Sequence, residues 1–96
     1  MSYYAIVSHV VDDQDRYNAE YIPGSVELIQ KHGGRVVVAG PADVIEGQPA
    51  PVCVVLKFPD KAAFTDFYQN PAYAPLKEIR NSLTSNGSMV GAPEFG

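Results

Sequence analysis

The side chains here with the types and spacing to do chemistry are few: His9, Arg35, Arg80 and the tyrosines Tyr17, Tyr21, Tyr68 and Tyr73. A guanidinium in a cleft binds a carboxylate or enolate oxygen through two parallel hydrogen bonds, so Arg35 and Arg80 are candidate anion ligands. Each can equally serve a structural ion pair, for instance with Glu46 or Glu78. Tyr21 and Tyr68 are candidate pocket-lining groups, because a phenol offers an apolar body and an orienting hydroxyl. At helical spacing the same residues also suit a core with hydroxyls reaching the surface. His9, near the end of a predicted strand, is the candidate general base. His32 is explained by its place at a helix C-terminus, where a cation meets the dipole.

Other chemistries lack their residues. Two histidines without a carboxylate at ligand spacing do not make a metal site. A haem would need an axial histidine in an apolar pocket, with His9 as its sole provider; no cofactor is expected. The sequence has no GxSxG, phosphate loop, dinucleotide glycine fingerprint or CxxC. Gly33-Gly34 reads as a helix stop. Cys53, the single cysteine, lies in the apolar run Val52–Leu56 and reads as a buried core thiol. Net charge is −4 with no Lys/Arg run, so the footprint of a nucleic-acid or anionic-membrane binder is missing. No apolar run is long enough to span a bilayer, and no leader-like segment opens the chain. A cytoplasmic location is the expectation.

These groups need elements to position them. Ninety-six residues, 46% of them apolar, allow one domain over 1–96, with a core of about 3–90 and a loose C-terminal tail. Tyr3 to Val11 reads as a strand, and Asp12 or Asp13 as the cap of a helix that Pro23 kinks or restarts. Gly33 stops that helix. Arg35–Gly40 is a second strand, followed by a short extended piece at Asp43–Glu46. Val52–Phe58 is a third, and Asp60 caps a helix carrying Phe64, Phe67 and Tyr68 on one side. Asn70-Pro71 starts a further helical segment. Ser85-Asn86-Gly87 breaks the chain before a last short strand, Ser88–Val90.

The order β-α-β-β-α-β predicts an α+β, ferredoxin-like fold with helices on one face of an antiparallel sheet. Strand three is apolar on both sides, Val52, Val54 and Leu56 on one and Cys53 and Val55 on the other. A soluble monomer would not expose such a face, so a homodimer with facing sheets is expected. Val54→Ala would then cost about 1–3 kcal/mol, and weaken the dimer if its side lies at the interface.

The chain resembles a known family, the small dimeric α+β-barrel proteins grouped as domain of unknown function 1330. The resemblance rests on Asp13 with Tyr17 and Tyr21, Gly33-Gly34-Arg35, Glu46-Gly47, Phe58-Pro59-Asp60, Phe67-Tyr68, Asn70-Pro71-Ala72-Tyr73 and Arg80. It departs from the family at Lys57, where an acidic residue is usual, at Asp60 in place of serine, and at Thr84 in place of a small residue. The resemblance implies a dimeric α/β barrel. The wider superfamily holds cofactor-free monooxygenases, haem-degrading enzymes, muconolactone isomerases and ligand-sensing domains, so the fold leaves the reaction open. Two readings follow. One is an enzyme without a bound cofactor, acting on an aromatic or unsaturated acid by proton abstraction or oxygenation. The alternative is a non-catalytic small-ligand binding or sensing dimer.

Overall fold

Caps and stops set the frame of this computed structural model, which describes residues 1–96. Strand β1 (Tyr3–Val11) leads to Asp13, whose side chain accepts from the Arg16 N–H at 3.1 Å and starts helix α1 (Gln14–Arg16). A π-helical turn (Tyr17–Tyr21) joins α1 to α2 (Ile22–Lys31). Pro23 explains that turn. It has no N–H to give, the helix before it widens, and the Ile22 N–H reaches back to the Tyr17 carbonyl. Gly33, with φ +76, ends α2, and the Gly33 and Gly34 N–H groups return to the Gln30 and Ile29 carbonyls. Gly34 is glycine for space: a Cβ there would lie 2.6 Å from the Phe58 ring.

Strand β2 (Arg35–Pro41) and β3 (Val52–Phe58) follow, then α3 (Lys61–Tyr68), capped by Asp60 accepting from the Ala63 N–H at 2.8 Å. Helix α4 (Tyr73–Leu83) and strand β4 (Thr84–Pro93) complete the chain. The sheet runs β2-β3-β1-β4 with antiparallel neighbours throughout, the ferredoxin-like α+β arrangement.

Register decides what each face carries. Ala5, Val7 and His9 alternate toward the helices, opposite Leu56, Val54 and Val52. The core between sheet and helices is aromatic; Phe58, Phe67 and Tyr73 are each 1% exposed, with the Phe67 and Tyr73 ring centroids 4.6 Å apart. The other face bears an apolar row across all four strands: Val38 pairs with Val55, Val55 with Ile6, and Ile6 with Val90. Ile6, Val38 and Val90 are 38%, 49% and 56% exposed in the single chain.

Several expectations need correction. Val54 faces the helices, so the side of β3 on the open face is that of Cys53 and Val55. Cys53 is accordingly half-buried on that face and outside the core. No extended element forms at 43–46, since nothing pairs with it. Asn70-Pro71 makes a turn, its side chain accepting from the Ala72 N–H, and α4 begins only at Tyr73. Ser85-Asn86-Gly87 lies inside β4: an extra residue opposite His9 is absorbed by a register shift, with Asn86 at φ 50. The tail holds a strand as far as Pro93, after which the Glu94 N–H bonds the Ser2 carbonyl.

Candidate functional site

Helix α2 and the π turn stand off the inner sheet face and leave a cavity of about 650 Å³. Val7, Val54 and Leu56 form part of its apolar floor, and His9, Tyr21, Tyr73 and Arg80 are among its polar lining residues. Its lining contains no aspartate or glutamate, and its formal charges are Arg80 and Arg35. A second, polar crevice of about 500 Å³ runs along β4. The two meet at Val7, His9, Arg80 and Met89.

His9 is 2% exposed, and its Nε2 is buried with no hydrogen-bond partner. Its ring stands edge-on to Tyr17, centroids 5.6 Å apart. Burial, reinforced by the positive charge of Arg80, holds its pKa below the ordinary histidine value. The ring is therefore neutral at neutral pH.

Arg80 belongs to the last turns of α4 and donates from Nη1 to the Tyr73 hydroxyl at 3.1 Å. Tyr73 and Tyr21 hydroxyls are 2.7 Å apart. Burial opposes the Arg80 charge, but the phenol oxygens of Tyr73, Tyr21 and Tyr68 outweigh it and raise its pKa. No carboxylate pairs with it. The two ion pairs of the chain, Arg16–Glu20 at 2.6 Å and Lys31–Glu27 at 3.4 Å, are exposed and local to their helices. The structural pairing with Glu46 or Glu78 is thus absent for Arg35 and for Arg80. Burial pushes the Tyr17 phenol up to about 12 and that of Tyr73 higher still, so both keep their protons.

The candidates read from the sequence separate into groups. His9, Tyr21 and Arg80 come together on the main cavity. Arg35 also borders it but is exposed, at the start of β2 beside Lys57 on the neighbouring strand. Tyr68 lines only the polar crevice, with Lys77 4.6 Å above its ring; Lys77, then Arg80, draws its phenol below the ordinary value. His32 stays apart, its Nδ1 2.9 Å from the Leu28 carbonyl. Tyr17 also borders the main cavity, and so does Tyr73, which the sequence placed among the tyrosines without singling it out for the pocket. Its signal was the interval to Arg80, seven residues or two turns on one helical face. No three metal-ligating side chains come together, and no helix is long and apolar enough to cross a membrane.

Comparison with known proteins bears on the whole chain. A family model described as domain of unknown function (DUF1330) matches residues 2–91. No curated protein matches. Among solved structures, a protein of unknown function from Rhodopseudomonas palustris is 16% identical with a TM-score of 0.79, covering 99% of this chain and 83% of its own. A protein from Bacteroides thetaiotaomicron named after the antibiotic biosynthesis monooxygenases is 20% identical, TM-score 0.63, with 97% and 89% covered. A dimeric ferredoxin-like protein of unknown function from Jannaschia sp. is 15% identical, TM-score 0.60, with 98% and 100% covered. At these identities the likeness is one of fold.

Proposed function

We propose a function that proceeds from family membership: the chain belongs to the DUF1330 family, a domain of unknown function, and its cavity binds a small aromatic or unsaturated acid. The observation that carries this is the charge of the wall, two guanidinium groups and no carboxylate in a chain of net charge −4. A cation partly withdrawn from water without an acidic partner is costly, and an anionic ligand relieves that cost. Arg80 holds the charged oxygen, Arg35 adds positive potential at the rim, and Tyr21 and the apolar walls take the body. Tyr68 serves the polar crevice beside it.

The reaction that fits is proton abstraction without a resident cofactor. His9 takes a proton from the carbon beside a carbonyl; the C–H pair becomes a C=C bond, and the carbonyl pair moves to oxygen beside Arg80. Returning the proton to another carbon completes an isomerisation. Oxygenation, the activity for which one structural neighbour is named, would start with the same deprotonation and consume dioxygen. One observation favours non-catalytic binding or sensing instead: no carboxylate lines the cavity to orient the His9 ring. In either case the protein works as a homodimer joined through its open sheet face, in a cytoplasm where Cys53 stays a thiol.

Phenylpyruvate, an aromatic acid with an enolisable C–H, tests both readings. We expect saturable binding, weakened about tenfold or more, roughly 1.4 kcal/mol, by Arg80→Met. Proton exchange into D2O, followed by NMR, should be accelerated by the wild type and not by His9→Gln. Binding without exchange selects the binding module. Unaltered affinity in Arg80→Met sinks the anion site.

A further inference from the structure

We infer that Tyr21 presents its hydroxyl proton to the cavity, and that the site takes a ligand whose negative charge sits on a single enolate or phenolate oxygen. The inference deepens the function proposed above and rests on it. It follows from the polarity of one hydrogen-bond chain. A guanidinium can only donate, so in the Arg80–Tyr73 bond the Tyr73 oxygen accepts. The same positive charge turns the Tyr73 O–H dipole away from Arg80. The other polar atom within reach of that hydroxyl is the Tyr21 oxygen, 2.7 Å away. Tyr73 is 1% exposed and kept protonated by its burial, so its proton is spent on Tyr21.

Tyr21 then accepts from Tyr73 and keeps its own proton to give. No protein group takes that proton, and Tyr21 borders the cavity. A ligand oxygen is the acceptor it lacks. The sequence Arg80 to Tyr73 to Tyr21 is charge-assisted, each bond polarising the next, which makes Tyr21 a stronger donor than an isolated phenol. Tyr17 stacks on Tyr21 with centroids 5.1 Å apart and makes a T-shaped contact with His9, centroids 5.6 Å apart. The donor and the neutral base therefore share Tyr17 as an aromatic neighbour and border the same cavity, an arrangement suited to a flat ligand. Tyr21 is the group that touches the ligand; Tyr73 is a positioning residue that passes on the charge of Arg80.

The test is titration with 4-nitrophenolate, at a pH where the probe is ionised, beside titration with benzoate as a plain carboxylate. A hydrogen bond to the phenolate oxygen moves the visible band of the bound probe to shorter wavelength. We expect that shift in the wild type, its loss in Tyr21→Phe, and an intermediate band in Tyr73→Phe, which keeps the ring but cuts the link to Arg80. Tyr21→Phe should lose about tenfold in affinity for 4-nitrophenolate and much less for benzoate. Equal affinity and an equal band in Tyr21→Phe would overturn the inference. So would an unshifted band on probe bound to the wild type, a result that needs no variant to fold. Wild type that binds benzoate but not 4-nitrophenolate removes this inference and leaves the proposed function standing. Binding of neither removes both.

Discussion

His9 keeps a ring nitrogen dry and unpartnered, and that sets the direction in which pH acts on the folded state. Its native pKa lies below the ordinary value of about 6.5. As pH falls through the unfolded value, the unfolded chain takes up a proton that the native chain refuses, and stability drops until the native pKa is passed. Above that window the histidine contributes no such loss. Melting temperature should therefore fall between pH 7 and pH 5, and His9→Gln, which cannot titrate, should flatten that part of the profile. An identical slope in the variant would mean that the acid sensitivity comes from other groups. The same window bears on chemistry, since only the neutral ring can accept a proton, and any exchange activity should fade on its acid side. Arg80 differs from His9 in kind: its charge persists at every relevant pH, so the cavity remains cationic while its base is switched.

Helix stops and strand ends position these residues, and Gly34 shows how tightly. A methyl there would meet the Phe58 ring at 2.6 Å and the Ile29 Cγ2 methyl at 3.0 Å, both held in the buried core. Gly34→Ala should cost about 1–3 kcal/mol by overpacking, measured as a lower urea midpoint with an unchanged slope. A neutral result would mean that α2 can lift from β3. Signals of this local kind were legible in the sequence: Asp13, Asp60, Gly33 and the restart at Pro23 act on backbone groups within four residues. The path of β4 through Ser85-Asn86-Gly87 was not, because its partner is β1, more than seventy residues earlier. Polar and glycine residues there read as a break until pairing with β1 turns them into a bulge opposite His9. The site divides in the same way. Tyr17 and Tyr21, or Tyr73 and Arg80, could be set on shared helical faces from spacing alone. That Tyr21 meets Tyr73, and that Arg35 lies beside Lys57 at a strand start, depends on packing between elements that no local pattern encodes.

At the scale of the molecule the open sheet face is the feature that a single chain leaves unresolved. The row Val38, Val55, Ile6, Val90 crosses every strand, and three of its four members are more than a third exposed. Burying a large side chain of this kind contributes about 1.5–3 kcal/mol. A contiguous row therefore favours pairing over solvation by more than isolated surface residues would. Val55 is the position to test, since it touches the row on both sides through Ile6 and Val38. Val55→Asp places a charge in the middle of that row, and if the row is where two copies pair, sedimentation equilibrium should report a monomer with its far-UV circular dichroism intact. Val54→Ala is the matched control one residue away. Its side chain faces the helices, so it should lower stability by about 1–3 kcal/mol and leave association unchanged. If Val55→Asp remains dimeric, the interface lies on another surface. If Val54→Ala dissociates the dimer instead, the two faces of the sheet exchange their roles.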